Sequence, residues 1–194
     1  MTHEELCERA RRWLSGTRRC DPVFSNIASC REIPDAIGWS SSWKARGSTV
    51  IECKTSRADF VADHQKYVIW KHPEDNRSLS YFDYRCWAGR PTGKRAEQLG
   101  YVKVDLRRMG DFRFFMCDPE VITPEMLNTH APDHGLLYVE GRRIRIVRSA
   151  PRRVAEMIDK DGEIRYLRFA IINRKTSFSM PTVEAPPQNT SAEV

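Results

Sequence analysis

The chain of 194 residues has no apolar run of about 18 residues, so no segment of it is suited to cross a bilayer as a helix. It opens Met1-Thr2-His3-Glu4-Glu5, without the basic stretch and apolar core of a secretory leader. Its six cysteines, at positions 7, 20, 30, 53, 86 and 117, include no Cys-x-x-Cys pair. That spacing matches neither a disulfide scaffold nor a zinc framework, and reads as reduced thiols in a cytoplasm. His64, His72, His130 and His134 show no ligand spacing on any one element, so zinc is not expected. Gly89-Arg90-Pro91-Thr92-Gly93-Lys94 falls short of a phosphate loop, because Arg95 stands where Ser or Thr is needed. No internal repeat is present. Residues 176–194 carry only Glu184 and Glu193 as charges and are rich in Pro, Ser, Thr and Gln, a composition that predicts a disordered tail.

What is present suffices for one domain. Hydrophobic residues make up 40% of the chain and aromatics 10%, enough to bury a core, while 30% are charged. The net charge is +6, from 32 Lys and Arg against 26 Asp and Glu. It is concentrated: Arg142, Arg143, Arg145, Arg148, Arg152 and Arg153 fall in twelve positions without an acid among them. Such a block suits a polyanionic partner; a solvated basic face is the plainer alternative.

Thr2 and Glu5 form a capping-box pattern at the start of a helix over 3–15, with Leu6, Ala10, Trp13 and Leu14 on one face. Residues 23–39 look extended and 49–55 are β-branched at their start, which predicts an antiparallel hairpin. Ser56, with Asp59 three residues on, opens a second helix over 58–70 with Phe60, Val61, His64, Tyr67 and Val68 as its buried stripe and Pro73 as its stop. Residues 72–110 are polar, with Tyr81, Phe82, Tyr84, Trp87 and Tyr101 set among arginines and lysines. They read as an insertion rather than a core element. Strands are expected at 112–117, 135–139 and 143–147, the last two joined by a turn at Glu140-Gly141-Arg142. A short helix over 151–160 and a strand over 164–172 complete the reading.

The chemistry lies in Pro34-Asp35 and, 17 positions after the aspartate, Glu52-Cys53-Lys54. Alternation along a strand points Glu52 and Lys54 to one face and Cys53 to the other. If the two segments pair, Asp35 lies beside Glu52. Two carboxylates are hard oxygen donors suited to Mg²⁺ or Mn²⁺, and the Cys53 carbonyl adds a third oxygen. An ammonium beside them suits stabilisation of a phosphodiester transition state. The plainer alternative is a same-face ion pair between Glu52 and Lys54, with Asp35 a turn residue.

The order helix, Pro-Asp, Glu-x-Lys, helix, strand resembles the PD-(D/E)xK nuclease superfamily, with its αβββαβ core. The stretch IECKTSRADFVADHQKY is similar to the E-V-K-S-S-R-x-D-F-x-x-D signature of the MmcB-like family of bacterial DNA-repair proteins. DHGLLYVEGRRIRIVRSAP resembles that family's closing hairpin, and GDFRFFMCDPEVITPEML resembles the intervening strand and loop of related phage and bacterial proteins. The pieces cover about 31–70 and 110–151. The resemblance implies Asp35, Glu52 and Lys54 as the active-site triad, with Asp35, Glu52 and the Cys53 carbonyl holding the metal. Ser56, Arg57, Asp59 and Asp63 match the signature beyond it; Arg57 and Asp63 face either the site or each other. Many superfamily members place a glutamine near the metal where Gln65 stands, and some relatives use a helix-one acid, here Glu5 or Glu8. The family lacks an insert at 71–109, which serves either as a stacking surface for unpaired bases or as a small subdomain.

The expectation is therefore an α/β fold: a restriction-endonuclease-like core with a mixed sheet over residues 1–175, an insertion at 71–109 and a disordered tail at 176–194. The expected function is Mg²⁺- or Mn²⁺-dependent endo- or exonucleolytic cleavage of DNA, RNA not being excluded, in DNA repair or phage DNA metabolism. Arg57, Arg142, Arg143, Arg145 and Arg148 would hold phosphates, and a homodimer would let both strands be cut. The alternative on the same fold is a non-catalytic nucleic-acid-binding or protein-interaction module.

Overall fold

The computed structural model describes residues 1–26, 33–43, 46–66, 68–74, 93–105, 109–155 and 158–172. The expected tail, most of the insert and its aromatics Tyr81, Phe82, Tyr84 and Trp87, and residues 27–32 of the first extended segment lie outside these.

Helix α1 (His3–Gly16) begins where the sequence predicts, with both halves of the Thr2–Glu5 capping box formed. Leu6, Ala10, Trp13 and Leu14 are buried as expected, and Cys7 joins them. This face lies on a six-stranded mixed sheet of order β1-β2-β3-β6-β7-β8. Its strands are β1 (Val23–Phe24), β2 (Ala36–Ser40), β3 (Gly47–Lys54), β6 (Phe112–Cys117), β7 (Gly135–Glu140) and β8 (Arg143–Arg148). The expected hairpin forms: β2 and β3 are antiparallel, with Ala36 opposite Ile51. β3, β6 and β7 are parallel, and β8 returns antiparallel.

Strand alternation divides the core in two. Ala36, Ile51, Cys53, Phe114, Met116 and Leu137 pack beneath α1, where Trp13 meets the edge of Phe114 at 5.5 Å. The other face is covered by three helices: α2 (Arg57–Lys66), α4 (Pro124–His130) and α5 (Lys160–Ile172). Phe60 of α2 and Leu127 of α4 sit with Phe115, Leu136 and Tyr138, while Tyr166 and Ala170 of α5 cover Ile37 and Val50. Gly135 opens β7 because a Cβ there would meet the Phe114 ring at 2.4 Å.

Three expectations need correction. The second helix ends at Lys66, not residue 70, because Val68–Lys71 is strand β4, paired antiparallel with β5 (Val102–Asp105) in a separate two-stranded sheet. The insert therefore starts at Val68, not residue 71, and includes the short helix α3 (Gly93–Gln98). Of the expected stripe Phe60 is buried, but Val61 is 39% exposed and α2 buries Asp63 in addition; the side chains of His64, Tyr67 and Val68 lie outside the described residues. The C-terminal elements are exchanged: 151–154 is irregular, and the expected strand over 164–172 is part of α5. There the buried residues Glu163, Tyr166 and Ala170 follow a helical period, while the β-branched Ile164, Ile171 and Ile172 are exposed. Asp159 caps this helix by accepting from the Gly162 N–H at 2.8 Å.

A polar network anchors α5 at the amino-terminal end of β3. Asp111 Oδ2 accepts from the Ser48 N–H at 2.8 Å, and the Ser48 hydroxyl lies 2.8 Å from both Asp111 Oδ2 and Glu163 Oε1. Lys160 donates to Asp111 at 2.6 Å and to Glu163 at 3.1 Å, and Glu163 also accepts the Gly110 N–H at 2.7 Å. Gly47 (φ 121°) makes room for the Asp111 carboxylate, which stands 2.5 Å from where a Cβ would be. Asp111→Ala leaves the Ser48 N–H without its acceptor and Lys160 with Glu163 alone, and should cost about 2–4 kcal/mol in urea unfolding. The contribution of Asp111 should be present above its ordinary pKa of 3.8 and fade as pH falls below it, because Lys160 and Ser48, outweighing burial, hold the carboxyl low.

Candidate active site

Glu52 and Lys54 lie on the α2 side of β3, as alternation predicts, and are 4% and 5% exposed. Asp35 immediately precedes β2. Continuing the register past Ala36–Ile51 sets Asp35 opposite Glu52 and Pro34 opposite Cys53. Proline has no N–H to give, and the Pro34 carbonyl accepts instead from the Asn26 N–H at 3.3 Å. The backbone pair with Cys53 therefore cannot form. Asp35 replaces it: Oδ2 accepts the Cys53 N–H at 2.7 Å. The N–H and C=O of a strand residue share an edge, so the Cys53 carbonyl opens on this same side with no Pro34 donor to meet it.

Lys54 Nζ reaches Asp63 Oδ1 at 3.1 Å and Asp59 Oδ2 at 3.8 Å. Both acids ride on α2, which Ser56 starts by accepting the Asp59 N–H at 3.2 Å. The spacing of four between Asp59 and Asp63 sets them one turn apart facing the lysine. Asp63 thus faces the site. Arg57 does not pair with it but donates to the Glu120 carbonyl at 3.2 Å. Gln65 lies on the same helix, and its side chain is outside what the structure describes.

Glu52 is backed by a residue the sequence reading passed over. Arg113, fully buried on β6, extends NH2 to Glu52 Oε1 at 3.4 Å and NH1 to the Met109 carbonyl at 2.9 Å. Its Nε donates to His134 Nε2 at 3.2 Å, which places the His134 proton on Nδ1, 2.8 Å from Asp133 Oδ1. The signal was available: an arginine inside the apolar strand FRFFMC needs a buried acid.

The charges act on one another. Burial raises the proton affinity of Glu52 well above the ordinary value, the neighbouring Asp35 adds to this, and Arg113 opposes it. Asp35 is also raised by burial, against the pull of the Cys53 N–H, His3 and Lys54. For Lys54, burial favours the neutral amine, but Asp63, Glu52 and Asp59 outweigh it and hold the ammonium above its ordinary value. The site is a pair of carboxyls of raised proton affinity beside an amine that its neighbours favour in the charged form.

The helix-one acids are elsewhere. Glu5 closes the capping box, and Glu8 receives Arg11 and Arg12, both at 2.8 Å. What α1 brings instead is His3, whose Nε2 lies 3.4 Å from Asp35 Oδ2.

The arginine run divides. Arg148 is structural: it donates to the carbonyls of His134 at 2.8 Å and of Ala131 and Pro132 at 3.0 Å, closing the end of α4. Arg152 and Arg153 meet Asp111 and Asp133 at 3.6 and 3.7 Å. Arg145 pairs with Glu140 at 2.6 Å over the Tyr138 ring. Arg142 and Arg143 are exposed at the β7–β8 hairpin tip. Because β3, β6 and β7 are parallel, this tip lies at the same end of the sheet as Lys54.

No family model matches the chain, and no curated protein matches it. Among solved structures, a protein of unknown function from Silicibacter pomeroyi is similar, with 21% identity over 90% of this chain and 88% of that chain and a TM-score of 0.48.

The raised carboxyls have a thermodynamic signature. Between the ordinary value of 4.5 and its raised one, Glu52 keeps a proton in the folded protein that the unfolded chain has lost, so stability falls as pH rises through that window. Glu52→Gln should flatten this fall: in urea unfolding the variant gains on the wild type more at pH 8 than at pH 5. An equal difference at both pH values would refute the assignment.

Proposed function

We propose that the protein is a metal-dependent nuclease of the PD-(D/E)xK type. The observation that carries this reading is the convergence of Asp35, Glu52 and Lys54 at the carboxyl end of β3, where Pro34 has no N–H to offer the Cys53 carbonyl. The order α1, β1–β3, α2, β6 with β6 parallel to β3 agrees with the αβββαβ core that the sequence resemblance implies.

The donor set fits a hard divalent cation. Asp35, Glu52 and the Cys53 carbonyl would hold Mg²⁺ or Mn²⁺ through oxygen, and the raised proton affinity of Glu52 marks a place that a cation would relieve. When bound, the ion would supply Lewis acidity and lower the pKa of a water. The chain's own residues do the rest. Arg113 and the Cys53 N–H fix the two carboxylates from behind. Asp63 and Asp59 hold Lys54 charged on the face of β3 that carries Glu52, where it would counter the charge that builds on a phosphodiester under attack. Arg142 and Arg143, two to three strand spacings across and two to four residues further along (about 15–20 Å), are placed to take the flanking backbone phosphates of DNA. Arg145 contributes there only if DNA displaces Glu140. Arg148 is committed to α4 and drops out of the interface. A second copy would be needed to cut both strands at once.

Lys54→Ala and Glu52→Gln should each reduce cleavage of labelled single-stranded, duplex or branched DNA in Mg²⁺ or Mn²⁺ by about 100-fold or more, with the fold retained and EDTA abolishing the wild-type activity. Undiminished cleavage by either variant would sink the mechanism. Binding without cleavage on every substrate would favour a nucleic-acid-binding module on the same fold. Removing both Arg142 and Arg143 should lower the slope of log affinity against log salt by about 2. An unchanged slope would take the hairpin out of the interface.

A further inference from the structure

We propose that His3, Cys7 and Asp35 form a second metal site, for a zinc-class divalent ion, sharing Asp35 with the carboxylate pair. His3 and Cys7 are one turn apart on α1, the spacing that presents two ligands to one ion from a helix face. The expectation of no zinc weighed four other histidines and looked for close cysteine pairs, and so missed a mixed His–Cys pair at i, i+4. The fold supplies the third donor from the loop before β2, and one ligand atom from each residue lies within 4.8 Å of the other two.

The distances suit a tetrahedral ion. Bonds of about 2.0–2.1 Å to nitrogen and oxygen and 2.3 Å to sulfur set donors about 3.3 Å (N to O) and 3.6 Å (N to S) apart. His3 Nε2 lies 3.4 Å from Asp35 Oδ2 and 3.9 Å from Cys7 Sγ. Cys7 Sγ lies nearer Nδ1, at 3.5 Å, so the half-exposed imidazole turns on its side-chain bonds to aim one nitrogen between Cys7 and Asp35. The surrounding groups are those that orient ligands: the Cys53 N–H fixes the Asp35 oxygen, and the Cys53 thiol hydrogen-bonds with Cys7. The His3 side chain is 46% exposed, which gives an ion a way in, while Cys7 closes the floor. Three protein ligands leave a fourth position for water. Thiolate and imidazole select zinc-class ions over Mg²⁺, so the two sites are chemically distinct although they meet at Asp35.

The site does not rest on the nuclease reading. The test is a Co²⁺ titration of the full-length, metal-free protein. A thiolate-to-cobalt charge-transfer band in the near ultraviolet should saturate at one equivalent and vanish on adding Zn²⁺. Cys7→Ser should lose the band, and His3→Ala, a change at a half-exposed position that spares the core, should weaken cobalt binding at least about tenfold. Glu52→Gln and Cys86→Ser should keep it. Absence of the band in the wild type, its persistence in Cys7→Ser, or its loss in Cys86→Ser would overturn the proposal. A protein that gives the band yet cleaves nothing overturns the nuclease reading alone, and one that cleaves in Mg²⁺ without the band overturns the zinc-class site alone.

Discussion

Where β2 runs out, a carboxylate takes over from the backbone. Pro34 can neither donate to Cys53 nor, with its carbonyl committed to Asn26, accept from it. Asp35 accepts the orphaned N–H, so the last turn of the ladder is made by a side chain. That single hydrogen bond fixes a carboxyl at the start of β2, beside Glu52, within reach of α1 and next to a carbonyl that Pro34 has no donor to meet. A strand that continued normally would fill the same edge with its own amides and leave no polar opening.

The cost of this arrangement is a concentration of charge in a dry place. Glu52, Lys54, Asp63 and Arg113 are all nearly sealed from solvent. Isolated burial of any one of them would be severely unfavourable, and only mutual pairing makes the set tolerable. The pairing is uneven. Lys54 meets two acids of α2, whereas Glu52 shares one arginine at 3.4 Å and has Asp35 for a neighbour. Among the described residues, this imbalance leaves the carboxyl pair with less positive charge than Lys54 has negative. The opposite end of β3 behaves otherwise, for there Asp111 and Glu163 are satisfied by Lys160, Ser48 and the Gly110 amide. One end of the strand is bonded for stability and the other is held under electrostatic tension.

Most of the sheet was legible from local signals. The Thr2–Glu5 box, the alternation of β3 and the two-residue turn between Glu140 and Arg143 state their structures within a few residues. What could not be read locally was decided at long range. Val68–Lys71 has the composition to extend α2 and leaves it because β5, some thirty residues on, supplies a partner. Ile164, Ile171 and Ile172 suggest a strand, but the contacts that matter are those of Glu163, Tyr166 and Ala170 with distant parts of the chain. The same holds for the site. Asp35, Glu52 and Lys54 follow from spacing and pairing. Arg113, Asp63 and His3 acquire their roles only when β6, α2 and α1 are brought to β3, and Arg148 loses its expected role because the end of α4 claims it.

The insert between α2 and β6 enters and leaves at adjacent points. Val68 stands opposite Asp105, so its two ends meet across one backbone pair. Closing a chain segment costs only slowly more as it lengthens, and α2 and β6 would be joined in the same way by a short connector. The path of the chain through the core therefore stays the same for a longer or a shorter segment at that junction. Such a junction behaves as a socket: its contents can be exchanged, trimmed or enlarged over evolutionary time while the carboxylates, lysine and arginine keep their places.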